Sequence, residues 1–144
     1  MKNIVIFGCQ QIAVDIIDFL SNRKDTKISL VITYELPLDK TYSYESVLEH
    51  CNNKKIPVIN PKTVTQNVIE KIVELNPDII FSLYYRRILP KEIINLPRMG
   101  CINIHPSALP NYRGPVPTAW AIENGEKVWQ RSYFRGSGHG PKLI

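Results

Sequence analysis

Short apolar runs alternate with segments of helical periodicity through residues 2–105. The runs are rich in Ile and Val and are closed by turn-forming residues, as buried strands are. Strands that alternate with helices form a mostly parallel sheet covered on both faces, so we predict a doubly wound α/β fold. The five predicted strands are Lys2–Phe7, Ile28–Ile32, Ile56–Ile59, Ile79–Leu83 and Cys101–His105.

Three helices are predicted between these strands. The first has an apolar face at helical spacing, with Asp18 facing water. The second lies around residues 46–52. The third opens at Thr63–Gln66, which has the form of a capping box, and ends at Asn76, before a proline. The apolar face predicted for the first helix consists of Ile12, Ile16, Phe19 and Leu20.

The composition of the chain changes near Lys127. Beyond this point the apolar residues lose both the helical and the strand period, and Gly136, Gly138 and Gly140 alternate with other residues. We therefore assign residues 1–126 to one incomplete domain and residues 127–144 to an aperiodic basic tail, as a change of reading frame would produce. The last strands of the sheet are expected to be missing.

The net charge of +5 is concentrated in that tail, which holds four basic residues and no acidic one. Without them, 14 basic residues face 13 acidic ones, so the body is nearly neutral. A nucleic-acid partner is not expected, because a binding face would carry its excess charge on the folded surface. The four basic residues are Lys127, Arg131, Arg135 and Lys142.

The remaining composition favours a cytosolic protein without a membrane partner. No apolar run is long enough for a membrane span, and no signal-peptide pattern is present. Cys9, Cys51 and Cys101 are odd in number and far apart, which favours buried, reduced thiols. The three histidines are isolated from one another, so no metal site is predicted.

The turn after the first strand argues against a dinucleotide cofactor. A site for NAD requires several glycines, so that the backbone can approach the pyrophosphate. Only Gly8 is present in this turn, and it is predicted to be an ordinary strand-to-helix connection.

Asn103 and His105 are the strongest candidates for chemistry. They are two residues apart on a predicted strand, so their side chains leave the same face, and Pro106 ends the strand directly after them. The carboxyl edge of an open α/β sheet is where ligands bind. An Asn amide can stabilise an oxyanion and a His can move a proton, a pair suited to acyl transfer. The spacing alone also fits a structural histidine and a capping amide.

Two surrounding stretches, Phe81–Pro90 and Gly100–Pro117, carry a resemblance. Residues 103–114 read Asn-x-His-x-Ser-x-Leu-Pro-x-Tyr-Arg-Gly. The chain resembles, over residues 1–126, the 10-formyltetrahydrofolate-dependent formyltransferases. That family includes methionyl-tRNA formyltransferase, glycinamide ribonucleotide transformylase and the sugar N-formyltransferases. The resemblance implies the Rossmann-like sheet of the family's N-terminal domain and 10-formyltetrahydrofolate as co-substrate.

The resemblance also implies a set of site residues. Asn103 and His105 match two members of the family's catalytic Asn, His and Asp. The segment after the fourth strand would hold the folate pterin, largely through its backbone, and the segment after the fifth would close over the carrier. Tyr84 and Tyr85 are equally well explained as strand-end packing. The implied carrier-binding residues are Leu83, Tyr84, Tyr85, Arg86, Ser107, Ala108, Leu109 and Pro110.

The acceptor implied by Ser82–Arg86 is the amine of a nucleotide-linked amino sugar, such as a dTDP-4-amino-4,6-dideoxy sugar of O-antigen biosynthesis. The first alternative is methionyl-tRNA formylation, which would need a further RNA-binding domain. The second is a non-catalytic remnant that binds folate or forms dimers. No Asp follows Asp78, and Gly140 and Pro141 stand where the family's Asp is expected. We therefore expect impaired catalysis and a self-associating chain, such as a homodimer.

Overall fold

A computed structural model describes residues 1–36, 44–107, 109, 111, 117–127, 132–137 and 140–143, the last two ranges as backbone. The strands are β1 Lys2–Gly8, β2 Thr26–Ile32, β3 Val58–Ile59, β4 Ile79–Leu83, β5 Cys101–His105, β6 Ser132–Ser137 and β7 Gly140–Leu143. The helices are α1 Gln10–Ser21, α2 Val47–Asn53, α3 Gln66–Leu75, α4 Lys91–Asn95 and α5 Pro117–Glu123.

The strands form one sheet in the order β3-β2-β1-β4-β5-β6-β7. All pairs among β1 to β5 are parallel. Successive residues of β1 pack into different core clusters: Ile6 lies with α1 on one face, and Phe7 lies with α3 on the other. Because both faces are covered, the strands read as continuous apolar runs. The predicted doubly wound α/β fold is confirmed.

The buried face of α1 differs from the predicted one. Phe19 is 60% exposed, and Ile12 and Ile16 are only partly buried. Of the predicted face, only Leu20 belongs to the buried set. The helix is apolar on more than one side, so its spacing alone does not decide which side meets the sheet. The buried residues of α1 are Ala13, Val14, Ile17 and Leu20.

The predicted start of α3 is also wrong. The helix begins at Gln66 with Thr65 as N-cap, and the Thr65 side chain makes no capping hydrogen bond. Its end is as predicted, because Asn76 adopts a left-handed conformation with φ 45°. The short helices α4 and α5 were not predicted.

The tail after Lys127 contains strands that the composition did not predict. β6 pairs antiparallel with β5, from Cys101↔Gly136 to His105↔Ser132, and β7 pairs antiparallel with β6. Ladder hydrogen bonds come from the backbone, so a short ribbon needs no apolar period, and the aromatic pair Tyr133-Phe134 favours extended structure. The expectation that the last strands are missing is therefore wrong, and β5 is not an edge strand.

An ionic cluster joins α1 to α2. The Nε2 atom of His50 lies 2.7 Å from Oδ1 of Asp18, and its Nδ1 atom lies 2.5 Å from Oε1 of Glu45. The ammonium of Lys54 lies 2.6 Å from the same Asp18 oxygen. Burial lowers the pKa of His50, but the hydrogen bonds to Glu45 and Asp18 together raise it above its usual value. The Asp18 side chain is 42% exposed, so it faces water as expected, and it also ties two helices together.

All three cysteines are buried and form no disulfide, as predicted. Burial raises the pKa of the Cys51 thiol to about 11 and that of Cys101 to about 12. Within the described ranges, no helix is both long and apolar enough to cross a bilayer. The same residues contain no group of three or more His, Cys, Asp or Glu placed to hold a metal ion.

Candidate active site at the carboxyl edge of the sheet

The order of the strands reverses between β1 and β4. From β1 the chain moves outward to β2 and β3, and then returns to the other side to form β4 and β5. The two central strands end together, with Gly8 paired to Leu83, and the amide of Cys9 donates to the carbonyl of Leu83 at 3.0 Å. In open α/β sheets the crevice for a ligand forms outside such a switch point.

Gly8 is needed here because of a close approach. A Cβ atom at this position would lie 2.7 Å from the Cβ of Ala13, the fourth residue of α1. The glycine therefore lets the helix pack directly against the end of β1. Gln10, the first residue of α1, has φ 64°, so the turn is completed by a non-glycine residue in the left-handed region.

Asn103 and His105 lie at the carboxyl end of an interior strand. β5 ends at His105 and is flanked by β4 and β6, so the predicted position of the pair is confirmed. Ile104 between them belongs to the core cluster of α1, and Cys101 belongs to the opposite cluster. Alternation along the strand therefore directs Asn103 and His105 to the same face as Cys101. Both are partly exposed.

Ser82 is a neighbour of this pair that the sequence did not single out. It lies in register with Asn103 on the adjacent parallel strand and is 6% exposed. Residues in register on parallel strands project to the same face. Ser82 therefore places a buried hydroxyl-bearing side chain on the sheet face shared by Asn103.

The segment after β4 is held in a strained conformation. Tyr84 has φ 51°, and its amide donates to the carbonyl of Ile104 at 3.3 Å. A bulky residue in this region carries a steric penalty of about 1–2 kcal/mol. Leu83 is fully buried. Because the amide of Tyr84 already donates to β5, a backbone donor to a ligand has to come from another residue of the segment.

The two tyrosines pack on opposite sides of the sheet end. Tyr84 packs against the core cluster of α1, and the ring of Tyr85 meets Phe7 edge-on with centroids 5.1 Å apart. The hydroxyl of Tyr85 is buried and finds no hydrogen-bond partner among the described residues. Burial raises its pKa to about 12. Both rings thus have the packing role that the sequence left open.

Arg86 and Arg87 both contact Tyr34, which follows β2. Arg86 donates from Nη1 to the carbonyl of Tyr34 at 2.9 Å, and Cys9 Sγ lies 3.5 Å from the same oxygen. Burial raises the pKa of the Cys9 thiol, and the positive charge of Arg86 opposes this in part. Arg87 donates from Nη2 to the Tyr34 hydroxyl at 2.9 Å, with its guanidinium 4.5 Å from the ring centroid. No local sequence pattern links Tyr34 to Arg87.

The segment after β5 turns at once. Ser107 is fully buried, and its amide donates to the carbonyl of His105 at 2.9 Å. Leu109 is partly buried. The predicted carrier contacts Ala108 and Pro110 lie outside the described residues.

Comparison with known proteins gives a consistent result. A family model described as "Formyl transferase" matches residues 1–136, ten residues beyond the domain limit predicted from composition. A methionyl-tRNA formyltransferase of Thermodesulfovibrio yellowstonii is 39% identical over 134 residues, which cover 88% of this chain and 42% of that protein. The bifunctional polymyxin resistance protein ArnA of Wigglesworthia glossinidia brevipalpis is 44% identical over 86 residues, covering 59% of this chain and 13% of that protein.

The fold agrees with a solved structure. Glycinamide ribonucleotide transformylase 1 of Geobacillus kaustophilus superposes with a TM-score of 0.74 at 18% identity, covering 100% of this chain and 80% of that one. This likeness shows the Rossmann-like fold. The chain spans about two-fifths of the length of the first curated relative. The match over residues 1–136 shows that the chain belongs to the formyl transferase family.

Proposed function

We propose that this chain takes part in the transfer of a formyl group from 10-formyltetrahydrofolate to an amine. The observation that supports this reaction is the position of Asn103 and His105 at the carboxyl end of β5, beside the switch point. A neutral amide donor and a proton-transferring imidazole side by side suit a reaction with an oxyanionic intermediate.

Asn103 and His105 each act at a defined step of the transfer. The amine attacks the formyl carbon, a C–N bond forms, and the carbonyl oxygen becomes negative in a tetrahedral adduct. The Asn103 amide donates to that oxygen, and His105 donates to it or relays the proton released by the amine. The adduct then collapses, its bond to the folate nitrogen breaks, and that nitrogen takes up a proton to give tetrahydrofolate and the formamide.

For the carrier, we propose the segments Leu83–Arg86 and Ser107–Pro110. The first is fixed by the sheet at Leu83 and Tyr84, and Ser107 is anchored to the end of β5. Two segments anchored on either side of the Asn103–His105 pair, at Tyr84 and at Ser107, can hold a flat pterin near it.

For the acceptor, we propose the amine of a nucleotide-linked sugar. The tyrosine-rich sequence Ser82–Arg86 resembles that branch of the family, whereas the tRNA branch usually has glycine there. Tyr84 has a positive φ, which glycine adopts freely and which is reached here with a bulky side chain. The second candidate acceptor is methionyl-tRNA, favoured by the likeness of the chain to methionyl-tRNA formyltransferases.

We expect slow catalysis from the unmodified chain. The sequence contains no Asp after Asp78, so the third member of the family's catalytic group has no counterpart at the expected distance. Groups that act as a unit lose most of their effect when one is removed. If the chain is not a catalyst, the alternative is a remnant that binds folate or forms dimers. For both the catalytic and the non-catalytic function, we propose a cytosolic location and small-molecule partners.

The test is a transfer assay with 10-formyltetrahydrofolate and two acceptors, a dTDP-4-amino-4,6-dideoxy sugar and methionyl-tRNA. The unmodified chain is assayed beside a version whose tail is replaced by the family's loop that carries the catalytic Asp, called here the Asp loop. We expect the rebuilt chain to formylate the sugar and the unmodified chain to be far slower. Transfer only to methionyl-tRNA would overturn the proposal that the acceptor is a nucleotide-linked sugar. Fast turnover by the unmodified chain would show that the Asp is dispensable.

A further inference from the structure

We propose that Tyr34 is a positioning residue that fixes the segment Tyr84–Arg87 in the conformation that binds the carrier. This inference rests on the proposed function. Tyr34 would not touch the reacting atoms and would act through the two arginines. The geometry assigns it this role because its carbonyl, its hydroxyl and its ring all contact that one segment.

Tyr34 contacts the segment in three ways. Its carbonyl accepts from Arg86, its hydroxyl accepts from Arg87, and its ring stacks with the Arg87 guanidinium. Hydrogen bonds from a charged donor are stronger than neutral ones, and an arginine over a tyrosine face adds a cation–π attraction. The contacts span about fifty residues of sequence, so they are tertiary and not part of the turn itself.

The segment needs such support. Tyr84 is held at φ 51°, a conformation that persists only when the surroundings enforce it. The carbonyl of Ile104 in β5 fixes the segment at one end by accepting from the amide of Tyr84. Beyond that point Arg87 and Ile88 are exposed, the latter by 96%. Without the Tyr34 side chain, the exposed half of the turn would lose the hydrogen bond and the ring contact of Arg87, whereas Arg86 would keep its backbone acceptor.

Tyr34 is itself firmly placed. The preceding residue, Thr33, donates its amide to the carbonyl of Ile59 at 3.0 Å. The following residue, Glu35, accepts from the amide of Leu48 at 3.0 Å, in the first turn of α2. A support can transmit position only if it is more rigid than what it supports, and here Tyr34 is fixed on both sides.

The experiment measures binding of 5-formyltetrahydrofolate by calorimetry to the full chain and to four variants. Tyr34→Phe removes the hydroxyl and keeps the ring, while Tyr34→Ala removes both. We expect Kd to rise about tenfold in Tyr34→Ala, equal to about 1.4 kcal/mol, and less in Tyr34→Phe. Arg87→Ala should match Tyr34→Ala, and the double variant should be no weaker than either single one.

Hydrogen exchange of residues 84–88 without ligand gives a second readout. Exchange should be faster in Tyr34→Ala, whereas a merely structural effect would raise exchange throughout β4 and β5. The matched control is Phe19→Ala, because Phe19 is an exposed ring on α1 with Arg23 at 5.7 Å. It should leave both Kd and exchange of the segment unchanged.

The outcomes separate the two proposals. If the full chain binds the folate and Tyr34→Ala binds it equally well, the positioning role is overturned while the proposed function stands. If Phe19→Ala weakens binding as much, the effect is general and the positioning role is likewise overturned. If the full chain does not bind the folate at all, the proposed function falls, and this inference with it.

Discussion

The Nε2 atom of His50 lies 2.7 Å from the carboxylate of Asp18, and this contact links α2 to α1. The other ring nitrogen faces Glu45, so both nitrogens can donate only when the imidazole is protonated. The pair of contacts therefore holds a charged histidine in a nearly buried position.

This cluster predicts a pH dependence of stability. The pKa of His50 is raised in the folded state, so its contribution is complete below the unfolded value of about 6.5 and is lost as pH rises through the folded pKa. The carboxylates are 42% and 50% exposed, so we expect only about 1 kcal/mol after screening. Urea unfolding at pH 6 and pH 9 measures this difference. In His50→Gln it should disappear, and an unchanged pH dependence would contradict the assignment.

The close approach of Gly8 to Ala13 predicts a steric penalty in Gly8→Ala. A new Cβ would lie 2.7 Å from the Ala13 Cβ, and overpacking of this kind costs about 1–3 kcal/mol. Adding Ala13→Gly should restore part of the loss, offset by about 1 kcal/mol for a glycine within the helix. The free energy of unfolding in urea is the measurement. A Gly8→Ala variant as stable as the parent would show that the helix shifts freely.

The buried hydroxyl of Tyr85 predicts that Tyr85→Phe, unlike Gly8→Ala, does not lower the stability of the fold. The oxygen has no hydrogen-bond partner among the described residues, whereas the ring contact with Phe7 would remain. Removing an unsatisfied buried polar group relieves a desolvation cost of about 1–3 kcal/mol, so stability should be unchanged or increased. A melting temperature lower than that of the parent would reveal a partner for the hydroxyl.

The proposed roles of Asn103 and His105 predict that replacing either residue lowers the rate of transfer but leaves carrier binding nearly unchanged. In the chain with the rebuilt Asp loop, Asn103→Ala and His105→Ala should each lower kcat by about 10²-fold or more, as removal of an oxyanion donor or a proton-transfer group does. The Kd for 5-formyltetrahydrofolate should stay within a few-fold of the parent. Variants that lose folate binding but keep kcat would reverse the proposed division of roles.

Much of the fold could be read from the sequence because the strands are buried on both faces. β4 and β5 were predicted with the observed limits, since each is a short apolar run between turn-forming residues. The paired segment β6–β7 could not be predicted in this way, because its order comes from backbone pairing with β5. A change of reading frame after Lys127 stays a prediction, and the coding DNA there would test it.

The candidate site was predictable only where its residues share an element. Asn103 and His105 lie on one strand, so strand geometry alone relates them. Tyr34 and Arg87 lie on segments that only the sheet order brings together, and neither residue has a local pattern that identifies the other. His50 and Asp18 are related in the same way through the packing of two helices.

The most direct test of the account is a calorimetric titration of the unmodified chain with 5-formyltetrahydrofolate, repeated with NAD. Folate binding does not require the absent Asp, so it tests the carrier site separately from turnover. The account predicts saturable binding of the folate at one site per chain and no heat of binding with NAD, because the turn after β1 has only Gly8. Tight binding of NAD with no folate signal would contradict it.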